Sequence, residues 1–200
     1  MAKDVYSAGL MSQSFWFHEF KKAVKLMKDG LSFDEIKKKC VEENLFGAAK
    51  EYRALRMAGY IVNRLKVMDD TMVDLFLTSD LATQKLINLI TILKQDLLFF
   101  EFIYEVYREK VILGAETLDD MDVKSFFTKK EGQSDTVAKW TDKTKSKVGT
   151  AYKTFMVESN LLSVIEKEKR ITPPVLDIAL ERYLIATGDD TMVRALTGVN

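Results

Sequence analysis

Apolar residues recur every three or four positions along most of the chain, and this spacing predicts amphipathic α-helices. Phe17, Phe20 and Val24 share one face of the first of these helices. Ser32, with Glu35 three residues later, has the capping-box pattern that starts a helix. Four helices are predicted in this part of the chain: Gln13–Lys28, about Ser32–Glu43, about Ala48–Val67 and Thr71–Phe76.

A long apolar stretch follows, with Ser79 or Asp80 as its N-cap and Gly114 at its end. Its middle is apolar on nearly every side, so the sequence predicts one buried helix as the central pillar of a first domain. The longest uncharged run covers the eight residues from Leu86 to Leu93, whereas a membrane span needs about 20 apolar residues. Four charged residues interrupt the stretch: Lys94, Asp96, Glu101 and Glu105. No membrane partner is therefore expected.

The polar, acidic stretch AETLDDMD after Gly114 indicates a boundary between two domains, at residues 1–115 and 116–200. The second domain is predicted to contain Asp120–Lys129, Asp135–Trp140 and Asp142–Ser159 as helices, Leu161–Glu166 and Lys169–Ile171 as strands, and Thr172–Ala186 as a further helix. Three helices followed by a hairpin is the order of a winged helix-turn-helix. The predicted fold is thus mainly α, an N-terminal helical bundle followed by a C-terminal winged helix-turn-helix with a short β-hairpin.

The stretch from Lys139 to Phe155 holds five lysines, one aspartate and no glutamate. On a helical wheel, Val148, Tyr152 and Phe155 fall on one side, and lysines and small hydroxyl residues fall on the other. Lysines neutralise phosphates, and hydroxyls can donate to them. The predicted DNA contacts of this stretch are Lys139, Thr141, Lys143, Ser146, Lys147, Thr150 and Lys153, and those of the hairpin are Lys169 and Arg170.

A second basic region lies in the first domain, on two helices joined by a short NLFG turn. Its candidate DNA contacts are Lys37, Lys38, Arg53, Arg56 and Arg64. The pattern resembles a helix-turn-helix, but an ordinary helical hairpin has the same pattern. A lysine-rich helix face can likewise be simply solvated, and winged helices also dock proteins, so both alternatives stay open.

Composition excludes several classes of function. The formal net charge is zero, so attraction to nucleic acid must come from local patches. The chain has one cysteine, Cys40, and one histidine, His18, too few for a zinc site or a nucleophile relay. Cys40 is expected in the core, and the acid pairs such as Asp69–Asp70 are expected to cap helices. There is no phosphate-loop motif, so neither an enzyme nor a cofactor, metal or small-molecule substrate is predicted.

Several stretches together carry a family resemblance: YSAGL, SFWFHE, EENLF, SDLATQKLINLI, FFEFIYEVYREK, VAKWTDKT and ITPP. With them the chain resembles the BrxA family of bacterial BREX phage-defence islands, over essentially its whole length. The resemblance implies a mostly helical, cytoplasmic, non-enzymatic DNA-binding protein with helix-turn-helix elements and no catalytic motif. The family pattern includes KWTDKT, at the start of the predicted recognition helix.

The expected function is therefore that of a DNA-binding accessory protein with double-stranded DNA as its partner. Sequence specificity should be low, since no Arg, Asn or Gln occupies the exposed face of the basic helix. Two alternatives remain. One is an assembly adaptor that binds other BREX proteins through the aromatic N-terminal segment and the acidic linker. The other is a helical protein that binds RNA.

Overall fold

The computed structural model describes residues 6–199, which are mainly helical with a small two-stranded antiparallel sheet. Contacts divide the chain into two units. One is continuous and comprises Phe15–Gln95, and the other joins the residues up to Ser14 to the residues from Asp96 onward. Residues 96–115, assigned from sequence to the first domain, thus group with those that follow them. The division at residue 115 itself stays a prediction.

The continuous unit consists of five helices in the order predicted. They are α1 (Phe17–Lys28), α2 (Phe33–Glu42), α3 (Glu51–Leu65), α4 (Asp70–Thr78) and α5 (Leu81–Leu93). The capping box of Ser32 and Glu35 is present, and the Asp80 carboxylate accepts from the backbone N–H of Thr83. Both predicted caps are thereby confirmed. The first helix begins at Phe17 rather than Gln13, because Trp16 has a φ of 48°, a left-handed conformation that an α-helix cannot contain.

The interior of the continuous unit is built on aromatic and aliphatic side chains. Phe20 meets Phe76 edge to face, with ring centroids 5.3 Å apart. Cys40 is buried, as predicted, and burial raises the pKa of its thiol to about 11. The middle of α5 is buried on every side, as its uniformly apolar sequence indicates.

The prediction of a single long helix to Leu113 is wrong, because the helix is interrupted between Leu93 and Leu97. Asp96 is extended (φ −123°, ψ 92°), and its carboxylate accepts from the backbone N–H of Phe99 at 2.9 Å, so it starts a new helix. This helix, α6 (Leu97–Phe102), continues through a π-helical turn (Ile103–Tyr107) into α7 (Arg108–Ile112). The two halves of the predicted pillar therefore belong to different units.

The second unit continues with five helices and two strands, whose order up to Ala186 is the predicted one. They are α8 (Asp120–Glu131), α9 (Asp135–Ala138), α10 (Asp142–Glu158), β1 (Leu162–Ile165), β2 (Glu168–Ile171), α11 (Ile178–Ala186) and α12 (Asp190–Thr197), together with a 3-10 turn at Gly9–Ser12. The predicted start of α11 at Thr172 is wrong. Thr172 and Pro173 each precede a proline, which disfavours helical backbone, and Asp177 caps the helix instead.

The hairpin pairs Leu162 with Ile171 and Ile165 with Glu168, which leaves a two-residue turn. Both turn residues, Glu166 and Lys167, have positive φ (50° and 75°), as a type I′ hairpin turn requires.

The stretch predicted as a linker also takes part in pairing. Thr117 forms an antiparallel bridge with Arg170, and the Leu118 N–H donates to the Lys169 carbonyl at 3.0 Å. The N–H of Ile171 donates to the Glu116 carbonyl at 2.8 Å. Residues 116–118 thus line the outer edge of β2.

An aromatic cluster forms the core of the second unit. Tyr152 of α10 stacks on Phe99 of α6 with centroids 4.4 Å apart, and Phe102 meets Phe126 of α8 edge to face at 5.1 Å. The 3-10 turn near the N-terminus packs against α10 through the buried Leu10. Among residues 6–199, no helix combines the length and the apolar content needed to span a membrane.

Candidate nucleic-acid interface

The interface is built on α10, whose start and orientation follow the sequence. Thr141 caps it, with its hydroxyl accepting from the backbone N–H of Thr144 at 3.2 Å. Val148, Tyr152 and Phe155 are buried on one side. The opposite side is exposed at Lys143, Lys147 and Thr150, whereas Lys153, which was predicted to share that face, is largely covered.

The approach of α8 to α10 depends on Gly149. A Cβ atom added at Gly149 would lie 2.2 Å from Cγ1 of Val123, far inside van der Waals contact. Only a residue without a side chain allows the two helices to come this close. Beside this contact, a groove of about 360 Å³ runs between α8 and α10.

Substituting Gly149 should therefore separate the two helices. We expect Gly149→Ala to lower the free energy of unfolding by about 1–3 kcal/mol, the usual cost of overpacking, although alanine favours helix. The cost should shrink in a Val123→Ala background, where the colliding methyl groups are gone. Urea unfolding of the four proteins in this cycle measures both effects. Equal stability of Gly149→Ala and wild type would contradict the close approach.

The lysines of α10 form two groups. Lys143 and Lys147 are exposed and have no ion partner within residues 6–199. Lys145 and Lys153 each have only 14% of the side chain exposed, and their amines are bound by carboxylates. The open amines of α10 are therefore Lys143 and Lys147.

The two bound amines face the groove. Lys145 donates to Glu131 at the end of α8 and lies 3.5 Å from Asp142, and the hydrogen bond to Glu131 raises its pKa. Lys153 donates to Asp120 in the first turn of α8. Lys153 was predicted to hold a phosphate, but here its amine already has an acidic partner. The sequence alone carries no local signal for this pairing, because Asp120 lies 33 positions away.

The hydroxyl residues of the basic face mostly bond to their own helix. Thr150 donates to the carbonyl of Ser146 at 2.9 Å, and the hydroxyls of Thr141 and Thr144 bond to each other at 3.0 Å. Thr141 and Thr150 are exposed, and Thr144 is half-buried. Ser146 and Thr150 thus allow close approach to the helix, and Ser146 keeps a hydroxyl that can donate outward.

The remaining residues predicted for this interface occupy the ends of the second unit's elements. Lys139 is exposed directly after α9. In the hairpin, Lys169 is half-buried and Arg170 lies 3.7 Å from Glu168. Lys167, which the sequence did not single out, is exposed at the tip of the turn with positive φ. Sequence periodicity could not identify Lys167 as a tip residue, because the strand register decides which residues form the turn.

The second basic region is present in part. Lys37, Lys38, Arg53 and Arg56 are exposed on α2 and α3, and Lys38 lies 3.9 Å from Glu42. The helices α2 and α3 pack directly on each other across the turn between them. This geometry fits both the helix-turn-helix and the ordinary hairpin readings.

The prediction of Arg64 as a DNA contact is wrong, because this side chain is only 1% exposed. Its guanidinium donates to the Phe15 carbonyl at 2.5 Å and lies over the Trp16 ring, 5.7 Å from the centroid. Burial lowers its pKa to about 9. Helical spacing does align Arg64 with Arg53, but most residues in the last turn of α3, including Arg64, are buried in the core.

No group of three His, Cys, Asp or Glu side chains in residues 6–199 is arranged to hold a metal ion. The acids of the groove are instead paired with lysines. The site therefore offers positive charge, hydroxyls and a projecting hairpin on the described surface.

These features define a mainly helical protein with a small antiparallel sheet and a lysine-rich helix face. A family model described as BrxA matches residues 4–188, and the chain belongs to the BrxA family. A relative named BREX protein BrxA, from Bacillus cereus (strain H3081.97), is 34% identical over 196 residues, covering 98% of each chain. The crystal structure of an uncharacterized protein from Magnetospirillum magneticum shares the fold, with a TM-score of 0.81 at 16% identity over 97% of this chain and 99% of that chain.

Proposed function

We propose that this protein is a non-enzymatic DNA-binding accessory component of a BREX phage-defence system, acting in the cytoplasm. The observation that carries the proposal is the open face of α10. On it, Lys143 and Lys147 stand without ion partners in the described chain, beside the small side chain of Ser146. Membership of the BrxA family, and the printed name of the Bacillus cereus relative, support the link to BREX.

We further propose that α8, α9, α10 and the β1–β2 hairpin act as a winged helix-turn-helix. Three observations support it: the order of the elements, the short turn of three residues (139–141) between α9 and α10, and the pairing of residues 116–118 with the edge of β2. In such a module the third helix enters the major groove and the hairpin lies near the adjacent backbone. We propose that Lys167, exposed at the hairpin tip, contacts a phosphate of that backbone.

Binding of this kind is mainly electrostatic. Lysines release counterions from the phosphate backbone, whereas base reading needs side chains such as Arg, Asn or Gln that can form paired hydrogen bonds. None of these three residue types lies on the exposed face of α10. The protein should therefore bind duplexes of unrelated sequence with similar affinity.

Titration of a short labelled duplex at several salt concentrations tests this function. If Lys139, Lys143, Lys147 and Lys167 each contact a phosphate, log affinity should fall against log salt with a slope of roughly −3 to −4. A duplex of scrambled sequence should give the same curve. Absence of binding at low salt would overturn the proposal. If an RNA of equal length displaced the labelled duplex more strongly than unlabelled DNA does, the preferred ligand would be RNA rather than DNA.

A second candidate function, assembly with another BREX protein, is favoured by the outer face of α11. Ile178 and Ile185, about two helical turns apart, are 65% and 54% exposed, and Val175 beside them is 96% exposed. Arg182 lies among them, exposed and without an ion partner in the described chain. An arginine surrounded by apolar side chains is typical of protein interfaces. The matching partner would offer an apolar surface with a carboxylate opposite Arg182.

The surfaces that the sequence suggested for this second role are occupied instead. Phe15 and Phe17 of the aromatic segment are buried, and Trp16 stacks on Tyr60 with centroids 6.0 Å apart. The acidic linker pairs with the hairpin through Thr117. Co-purification with the other BREX proteins, using wild type and an Ile178→Glu, Ile185→Glu variant, tests the α11 face. Retention of the same partners by the variant would exclude it.

A further inference from the structure

We propose that Asp120 and Glu131 of α8 are internal competitors of DNA phosphate, which hold Lys153 and Lys145 in the groove and thereby limit the affinity of the basic face. The inference rests on the proposed DNA-binding function and adds a regulation of the same site. It starts from the contrast between the two open and the two bound lysines of α10.

Lys153 lies on α10 where its amine could join those of Lys143 and Lys147 on the open face if it were released from Asp120. At about 100° per residue, Lys153 lies only some 20° around the helix from Ser146 and some 80° from Lys143. It therefore stands at the border between the open face and the groove. Its stem is covered, and its amine turns toward Asp120. A lysine side chain has four rotatable methylenes, so the same amine can reach the open face once it is released.

The carboxylate of Asp120 is held much less firmly than the amine that it binds. Asp120 is almost fully exposed, whereas only 14% of the Lys153 side chain is exposed. An exposed ion pair contributes little to stability, and a phosphate is an equal partner for an amine in charge and hydrogen bonding. The free-energy difference between Lys153 bound to Asp120 and Lys153 bound to a phosphate should therefore be small. Solution conditions or a partner protein can shift the equilibrium between the two states.

Lys145 is held more securely. Its amine bonds Glu131 and also lies 3.5 Å from Asp142, so removing Glu131 leaves a second acid nearby. On the wheel Lys145 faces away from the open side, about 160° from Lys143. The two acids should therefore differ in effect, with Asp120 controlling affinity more strongly than Glu131.

The experiment compares Asp120→Asn with a matched control, Asp135→Asn, in the salt titration described above. Asp135 is an exposed acid in the first turn of α9 that binds no lysine in the described chain. Both changes remove one negative charge. We expect Asp120→Asn to bind roughly 2- to 10-fold more tightly at low salt, with a slope steeper by about 0.9, the value for one added phosphate contact. Asp135→Asn should change the affinity less and leave the slope unchanged.

A second change identifies the released amine. Lys153→Gln should have little effect in the wild type and should abolish the gain in an Asp120→Asn background. Equal affinity and slope of Asp120→Asn and Asp135→Asn, or an effect of Lys153→Gln that is the same in both backgrounds, would overturn the inference while DNA binding stands. Wild-type protein that does not bind DNA would overturn the proposed function and the inference together. Thermal melting confirms that each variant is folded.

Discussion

Replacing Lys143 and Lys147 with glutamate should lower the affinity for a DNA duplex by at least about 100-fold at low salt. Each replacement removes one phosphate contact and places a negative charge against the backbone, and each tenfold loss is about 1.4 kcal/mol. The slope of log affinity against log salt should become shallower by about 2. Fluorescence anisotropy of a labelled duplex measures both quantities.

The control is a Lys25→Glu, Lys66→Glu variant. These two lysines are exposed in the continuous unit, outside the proposed contacts, and their replacement changes the net charge by the same amount. Its affinity should stay within a few-fold of wild type. Similar losses in both variants would show that binding follows overall charge rather than the face of α10, and unchanged binding of the α10 variant would exclude that face.

Lys130→Met should lower the free energy of unfolding by about 3–5 kcal/mol, the usual cost of removing one partner from a buried ion pair. The Lys130 side chain is 2% exposed, and its amine lies 2.5 Å from Glu101 and 2.6 Å from Glu105. Glu101 also accepts a hydrogen bond from the hydroxyl of Tyr6 at 2.7 Å. The variant therefore leaves two carboxylates without their shared cation and weakens the attachment of the N-terminal segment.

Lys129→Met is the matched control, because Lys129 bonds the same Glu105 at 3.1 Å but is 61% exposed. An exposed pair contributes about 0–1 kcal/mol, so this variant should be nearly as stable as wild type. Equal losses of stability in the two variants, measured by urea unfolding, would contradict the importance of burial.

The same cluster predicts a dependence of stability on pH. Burial by itself would raise the pKa of Glu105, but the hydrogen bonds from Lys130 and Lys129 outweigh it and lower the pKa. A carboxyl group with a lowered pKa in the folded state stabilises the fold above its ordinary pKa of about 4.3, and this contribution is lost as the pH falls. Because protonation also relieves the repulsion between Glu101 and Glu105 once their shared cation is gone, the loss of stability caused by Lys130→Met should shrink below that pH.

Local signals in the sequence predicted much of the site. Caps at Ser32, Asp80 and Thr141 depend on residues within one helical turn, and the two faces of α10 depend on period alone. These calculations need no knowledge of the rest of the fold. The helix order, the hairpin and the basic face could therefore be predicted from the sequence.

The errors arose where long-range packing decides the outcome. Asp96 lies within an apolar run that extends on both sides. Its capping bond to the N–H of Phe99 is local, but the continuity of the apolar run favoured one unbroken helix, and the two halves in fact belong to separate units. The stripe shared by Arg53 and Arg64 has the right spacing, but the depth to which α3 enters the core decides which of them reaches solvent. The pairing of Lys153 with Asp120 likewise joins two helices, so no pattern along α10 could reveal it.

The unit that includes both Leu10 and α10 is assembled from stretches of chain that the ribosome makes far apart in time. The turn at Gly9–Ser12 is made well before its packing partner α10, which ends at Glu158. At ordinary rates of synthesis the delay is roughly 7 to 30 s. Every residue of the continuous unit has been synthesised once Gln95 has emerged, so that unit can fold during translation. The turn at residues 9–12 can pack only later, after α10 has been synthesised.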